Sequence, residues 1–550
     1  MTISSKSLLL SALVSSASFS AAAQSWQDTV ARIEQIFSRY NNDKTPGAQL
    51  AISRNGSVIF SKAWGMADLE HQVPLTPQSI TEAGSVSKQF TAAAILLLEQ
   101  QGKLSLDDDV RKHIGELRDY KAKITLRHLM QHTSGLKDWG SIMDVAGWPR
   151  GSRAYTNDYA LYVISLQQSL NNLPGDEYIY SNSNYNLLAI IVQRVSGLSL
   201  ADFTKKYIFE PAGMKNTEWR SYYRKIVPNR AFAYSRNGAG FQTNMPNESA
   251  YGNGGLLTTA EDLLIWNNYY LGGRLGNPSL LAQQTATRPL NNGGKNNYGA
   301  GLMTDPVGGW KAIAHSGATA GYRANLEYFP EAGLSIAWLS NTSAFDADTL
   351  NVANAVRRLF LPMRRPENPP PRPAFITVPE EKLAAYAGWY RNPRTGGGTK
   401  LYIKDGKMSS LFPAANLNTV AENIFVVGNN RLEVDKKKGL LWISPGADSI
   451  YFDRVEPADT SEKNLQKYVG TYYSREAEAF YYIVLKQGKL YLELRPGTVF
   501  SLTPTYYDGF DCPFGPIHFI RDIKKGIVEL KVSVSRARNI TFRKVYDAGF

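Results

Sequence analysis

Ser85 and Lys88 stand three residues apart, at the start of an apolar run that continues through Phe90 and residues 91–98. A serine and a lysine at this spacing share one face of a helix. A serine hydroxyl is a weak nucleophile until an adjacent base takes its proton. A lysine amine becomes that base when burial and neighbouring charge lower its pKa. A helix N-terminus adds unpaired N–H groups where negative charge would develop. The structural alternative is a serine that only caps a helix. Ser134 and Lys137 repeat the spacing. There Gly135, Asp138, Trp139 and Gly140 read as a loop, whereas the run after Ser85 reads as a helix buried in a domain centre.

Other groups carry chemistry further along. Tyr180 and Asn182 follow Pro174 and Gly175, just before a helical stretch. A tyrosine relays protons when a nearby cation lowers its pKa, and an asparagine both donates to and accepts from an amide. His315, Ser316 and Gly317, with Ala318 and Thr319 after them, fall at the end of an expected strand. The histidine can hydrogen-bond or carry a switchable charge, and the glycine lets a substrate backbone come close. The alternatives are a tyrosine packed at a helix start and a plain turn between strands. Gly252, Asn253, Gly254 and Gly255 form a turn into a helix that Thr258 or Thr259 would cap. It lacks the lysine of a phosphate-binding loop, so it reads as structural. His128 and His132 have a zinc-binding spacing but lack the glutamate after the first histidine, so no metal site is expected.

These residues need elements to hold them. Residues 28–40 carry a helical period, and Asn55-Gly56 joins two apolar stretches as a β-hairpin. Helices are expected over 124–132, 155–170 and 184–195. Strands are expected over 310–314, 322–329 and 334–339, and a closing helix over 346–360. Strands open the domain, helices fill the middle, and strands with a helix close it. That pattern is an α+β fold, an antiparallel sheet flanked by helices with a mainly helical second lobe.

The prolines of 362–373 mark a stiff linker. Beyond it, Leu383, Tyr386, Gly388 and Tyr390 recur as Leu465, Tyr468, Gly470 and Tyr472, each 82 residues on. Gly-punctuated, aromatic-rich strands in both copies predict two small antiparallel β-barrels. The boundaries read as 1–23, 24–362, a linker 363–375, a first repeat 376–457 and a second repeat 462–546. The stretch 506–516, rich in Gly, Pro and aromatics, is expected to be a loop, and loops on rigid barrels often carry function.

Composition bounds the function. The chain has 550 residues, too many for one core. Lys6, a short apolar centre and Ala21-Ala22-Ala23 have the pattern of a secretory signal peptide, so a periplasmic location in a Gram-negative bacterium is expected. Cys512 is the only cysteine, which excludes an internal disulfide and cysteine-rich metal sites. The net charge of +13 is spread along the chain. It favours anionic surfaces but brings no nucleic-acid motif with it. No internal stretch reads as a membrane span.

Taken in order, Ser85-x-x-Lys88, Tyr180-x-Asn182 and His315-x-Gly317 resemble the serine β-lactamase and penicillin-binding protein superfamily. The branch is that of class C β-lactamases, D,D-carboxypeptidases and D-aminopeptidases. The stretch Leu126-Arg-His-Leu-Met-Gln-His-Thr-Ser-Gly135, the Gly254-Gly255-Leu256 turn and the helix start after it match the same branch. The resemblance covers about residues 28–362. It implies Ser85 as nucleophile, Lys88 and Tyr180 sharing the base role, and an oxyanion hole from the N–H groups of Ser85 and Ala318. Asn182, His315, Gly317 and Ala318 would hold the substrate, and neither a metal nor an organic cofactor would be needed. Histidine in place of lysine at position 315 favours a peptidase or esterase over an efficient β-lactamase, and the resemblance to D-aminopeptidases implies that the 506–516 loop narrows the cleft. The expected function is a secreted serine hydrolase acting on a small peptide, amide or ester, most like a D-aminopeptidase or D,D-peptidase. The alternatives are an esterase or weak β-lactamase of the same fold, and a non-catalytic penicillin-recognising sensor.

Overall fold

The computed structural model describes residues 25–364, 373–411, 414–436, 438–444, 449–524 and 526–546. The expected signal segment 1–23 and linker residues 365–372 lie outside them. Five antiparallel strands form the central sheet. Their spatial order is Ile313–Thr319, Tyr322–Phe329, Leu334–Ser340, Ala48–Arg54 and Ser57–Trp64. The two ends of the catalytic domain therefore meet in the middle of one sheet, with Ala51 opposite Ala337.

The central strands are buried on both faces, and their side chains alternate between two cores. Leu50, Ile52, Leu334, Ile336 and Trp338 face one cluster with Ile33 and Phe37 of the helix Trp26–Phe37. Phe37 stacks on Trp64 there, with ring centroids 4.2 Å apart. Ala51, Ala337 and Leu339 face the other cluster, with the helices Lys88–Gln100, Asn182–Ser196 and Ala260–Leu271. Small residues on that face let the helix Ala260–Leu271 lie close against the sheet. The Asn55-Gly56 turn takes φ of 50° and 82°, the left-handed pair of a tight hairpin.

Three of these elements have bounds that differ from expectation. The strand expected over 310–314 runs Ile313–Thr319, so His315 to Gly317 lie within an edge strand and not at its end. The helices expected over 124–132 and 155–170 are the shorter Leu126–Met130 and Asn157–Ser165. Thr125 and Thr156 cap them, with side chains that accept from His128 and Tyr159 backbone N–H groups.

Each repeat folds into a nine-stranded antiparallel sheet, nearly closed as a barrel, with the same strand order in both. Equivalent residues make equivalent bonds. Tyr390 donates to Tyr386 O and Tyr472 donates to Tyr468 O, both at 2.8 Å. Gly388 and Gly470 take φ of 148° and 150°, a region that only glycine enters without strain. The first repeat has its own core around Tyr390, Leu401 and Phe425. The core of the second, around Tyr481, Leu492 and Phe542, is continuous with that of the catalytic domain. No single helix among the described residues is long and apolar enough to cross a membrane.

Candidate active site

Ser85 lies in the 3-10 turn Gly84–Ser87, which leads directly into the buried helix Lys88–Gln100. The turn is pressed against the edge strand. A Cβ on Gly317 would stand 2.0 Å from Ala83 O and 3.0 Å from Ser85 N. Gly84 has φ +51°, and a Cβ there would meet Ala318 N at 2.6 Å. Two glycines thus bring the backbone of Ser85 beside that of Ala318.

Lys88 is fully buried behind the serine. Its Nζ donates to Asn182 Oδ1 at 3.0 Å and to the Asn253 carbonyl at 2.5 Å, and stands 3.2 Å from Ser85 Oγ, where a neutral amine keeps its lone pair for the serine proton. Burial holds the amine well below the usual lysine range, the nearby Arg150 and Arg536 guanidinium groups push it further down, and Asp138 opposes them. A low pKa and a bond to the serine are what a base at this position requires.

The Tyr180 ring lies 4.8 Å from Lys88 Nζ and packs on His132, ring centroids 4.2 Å apart. Its hydroxyl is buried and makes no hydrogen bond of good geometry among the described residues. Burial raises the phenol well above its ordinary pKa, and the Ser85 hydroxyl beside it only partly offsets that. The Arg536 guanidinium near the ring does not overcome desolvation, so Tyr180 is a neutral phenol, contrary to the lowered pKa that a proton relay was expected to need.

His315 also differs from expectation. Its Nδ1 is 2.6 Å from the Ser316 carbonyl, which can only accept, so Nδ1 carries the proton. Nε2 then accepts from the Tyr298 hydroxyl at 2.8 Å. Burial and the Lys88 charge bring the imidazole down to about 4. It is neutral at physiological pH and is not a charge switch there.

One cavity of about 380 Å³ is lined by Ser85, Tyr180, Asn182, His315, Gly317 and Ala318, with Lys88 bonded behind them. The structure therefore brings all seven expected residues together. It adds Tyr178, Asn253, Gly254, Tyr298, Arg150 and Arg536 to the walls. The glycine-rich turn read as structural supplies the carbonyl that holds Lys88. Thr259 caps the helix after it, as expected. Ser134 and Lys137 lie elsewhere: Ser134 donates to Asn184 Oδ1 at 2.7 Å, and Lys137 pairs with Glu476 of the second repeat at 2.8 Å. His128 and His132 do not converge on a ligand. His128 Nδ1 accepts from the Thr125 N–H, and His132 packs against tyrosines.

The stretch 506–516 does not reach the cavity. Tyr506 is buried and donates to Gly396 O of the first repeat at 2.6 Å, while Phe510 and Cys512 fill the barrel interior. Its Gly515 is needed for close strand packing, since a Cβ would meet Ser533 O at 2.2 Å. The element that reaches the site is the hairpin between the strands Gly526–Val534 and Ala537–Val545, whose turn is Ser535 and Arg536. Nothing in that turn, neither glycine nor Asn-Gly, signals it in the sequence.

The beta-lactamase family profile matches residues 33–358, and the chain belongs to that family. It is a serine hydrolase of the β-lactamase fold. A D-aminopeptidase of Brucella anthropi is 25% identical over 542 residues, covering 92% of this chain and 96% of that protein. A D-aminopeptidase of Brucella melitensis biotype 2 is 26% identical over 470 residues, 82% of this chain and 83% of its own. The fold is shared with the octameric penicillin-binding protein homologue of Pyrococcus abyssi. That match has a TM-score of 0.51 and 22% identity, covering 85% of this chain and 98% of that one. It is also shared with the D-amino acid amidase of Ochrobactrum anthropi SV3, with a TM-score of 0.51 and 21% identity over 60% of this chain and 97% of that one.

Proposed function

We propose that the protein is a secreted hydrolase that cleaves amide bonds of small peptides through an acyl-serine intermediate, in the manner of a D-aminopeptidase or D,D-peptidase. The observation that carries this reading is the 3.2 Å approach of the buried, low-pKa Lys88 amine to Ser85 Oγ. Lys88 takes the serine proton as Oγ attacks the carbonyl. Lys88 then gives that proton up toward the leaving nitrogen through the neutral Tyr180 hydroxyl, which donates its own proton and takes the one from Lys88 in its place. The N–H groups of Ser85 and Ala318 receive the oxyanion. Asn182, already bonded to Lys88, orients the substrate amide. Water then releases the acyl group. The relatives named D-aminopeptidase favour a D-configured substrate.

Covalent labelling by a fluorophosphonate, read by intact mass and peptide mapping, tests the nucleophile. The expected result is one adduct on Ser85, lost in Ser85→Ala and kept in Ser134→Ala. A non-catalytic sensor would give no adduct, and equal loss in both variants would refute the assignment.

A further inference from the structure

The cavity around Ser85 is lined by Arg150, Arg323 and Arg536, and among the described residues no aspartate or glutamate lines it. The three guanidinium groups are not equally committed. Arg150 makes a two-pronged pair with the buried Glu248 carboxylate. Arg323 donates to the carbonyls of Ala320 and Tyr322. Arg536 comes from the second repeat, and its backbone is fixed. Its carbonyl accepts from Asp138 N at 3.1 Å and from Asn171 Nδ2 at 3.1 Å. Its guanidinium rests 4.8 Å from the centre of the Tyr180 ring and makes no ion pair among the described residues. Lys88 Nζ lies at the same 4.8 Å from that ring, so the guanidinium and the amine are no farther apart than twice that distance. Asp138 is the carboxylate behind this wall. It is buried, does not line the cavity, and accepts from Asn182 N at 2.5 Å and Ser141 N at 2.9 Å.

An ammonium entering this cleft meets positive charge with no facing carboxylate. A carboxylate meets a planar donor fork already held in place, the geometry in which arginine binds carboxylates best. We propose that Arg536 is a specificity-determining residue, binding a carboxylate that the substrate carries near the scissile carbonyl and selecting against a free ammonium there. The inference rests on the acyl-serine reading above and sets this chain apart from an aminopeptidase, whose substrate brings a free ammonium to the scissile carbonyl: the substrate class is anionic acyl compounds, including peptides whose amino terminus is blocked.

Three fluorophosphonates with equally long tails, ending in a carboxylate, a primary amide or an ammonium, test it on the full chain. The expected labelling rates fall in that order, with the carboxylate probe ahead of the ammonium probe by about tenfold or more. Arg536→Gln collapses the spread, Arg536→Glu reverses it, and Arg536→Lys keeps the order. The lysine variant separates loss of charge from loss of fold. Equal rates for the three probes on the wild-type protein, or an unchanged spread in Arg536→Gln, would overturn the proposal while leaving Ser85 as nucleophile. Failure of all three to label Ser85 would overturn the acyl-serine reading, and this proposal with it.

Discussion

Lys88 serves as a base only while its amine is neutral, and its surroundings are arranged to keep it so. The charged and titratable groups facing it are Arg150, Arg536 and Asp138, with Tyr180, Tyr185, His132 and His315 around them. Both histidines are held neutral chiefly by burial, so the two arginines are the cations that depress the amine. Labelling should rise with pH as Lys88 loses its proton. Removing one cation in Arg536→Gln should raise the lysine pKa and move that limb to higher pH. The neutral amide probe, followed across pH, reads this directly. An unmoved limb would show that Arg536 does not act on the base. Lys88→Ala should cost more than ~100-fold in rate, the scale of a general base. Tyr180→Phe should cost less than the same loss again when added to it, because the two act on one proton path. His315→Gln should leave the limb in place above pH 5, since that imidazole titrates at about 4. Ser85 and Lys88 are legible in the sequence because a local signal, an apolar helix, separates them from Ser134 and Lys137. The ionisation states of Tyr180 and His315 are not, because the groups that desolvate them, Tyr298, His132 and the second repeat, come from distant segments.

At the scale of elements, the site depends on how closely one turn meets one strand. The 3-10 turn Gly84–Ser87 and the edge strand Ile313–Thr319 touch through backbone atoms, with Gly317 at the contact. Its neighbour there is a carbonyl, not a flexible side chain, so Gly317→Ala must push the strand away from Ser85. The expected result is a labelling rate reduced by about 100-fold or more, the cost of losing an oxyanion donor, in a protein that still unfolds cooperatively. A wild-type rate in that variant would mean that the Ser85–Ala318 spacing does not matter. The sheet itself is readable from alternation and from Asn55-Gly56, since period and turn chemistry are local. The edge strand is misplaced by three residues in the sequence reading because His315, Ser316 and Gly317 look like a turn. They form a strand because Ala314 to Ala318 pair residue by residue with Arg323 to Glu327. The same kind of error, in reverse, hides Arg536: Gly and Pro at 506–516 suggest a loop, yet those glycines serve strand packing, while the functional hairpin turns on Ser535 and Arg536 with no such marker.

For the whole molecule, the proline-rich linker suggests appended modules, but the second repeat is built into the catalytic domain. Tyr481 donates to Val145 O at 2.7 Å, and a Cβ on Gly147 would meet Leu494 at 2.3 Å. Arg538 pairs with Glu177 through two 3.0 Å bonds and its N–H donates to Asn171 Oδ1 at 2.7 Å. These contacts set the Arg536 turn against the cleft. A buried ion pair, Lys137–Glu476, joins them across the same interface, with side-chain exposures of 0% and 3%. Burial lowers the lysine pKa while Glu476 works to hold its charge. Removing one member leaves the other charged and dry, so Glu476→Gln should destabilise by about 3–5 kcal/mol, whereas Lys137→Met with Glu476→Leu should recover most of that loss. Urea unfolding measures both. If the hairpin is positioned through this interface, Glu476→Gln should also narrow the preference for the carboxylate-tailed probe, and the double variant should restore it. Wild-type stability in Glu476→Gln would mean that the interface is open to water. Lost stability with an unchanged probe preference would mean that the hairpin holds its place through Asn171 and Glu177 alone.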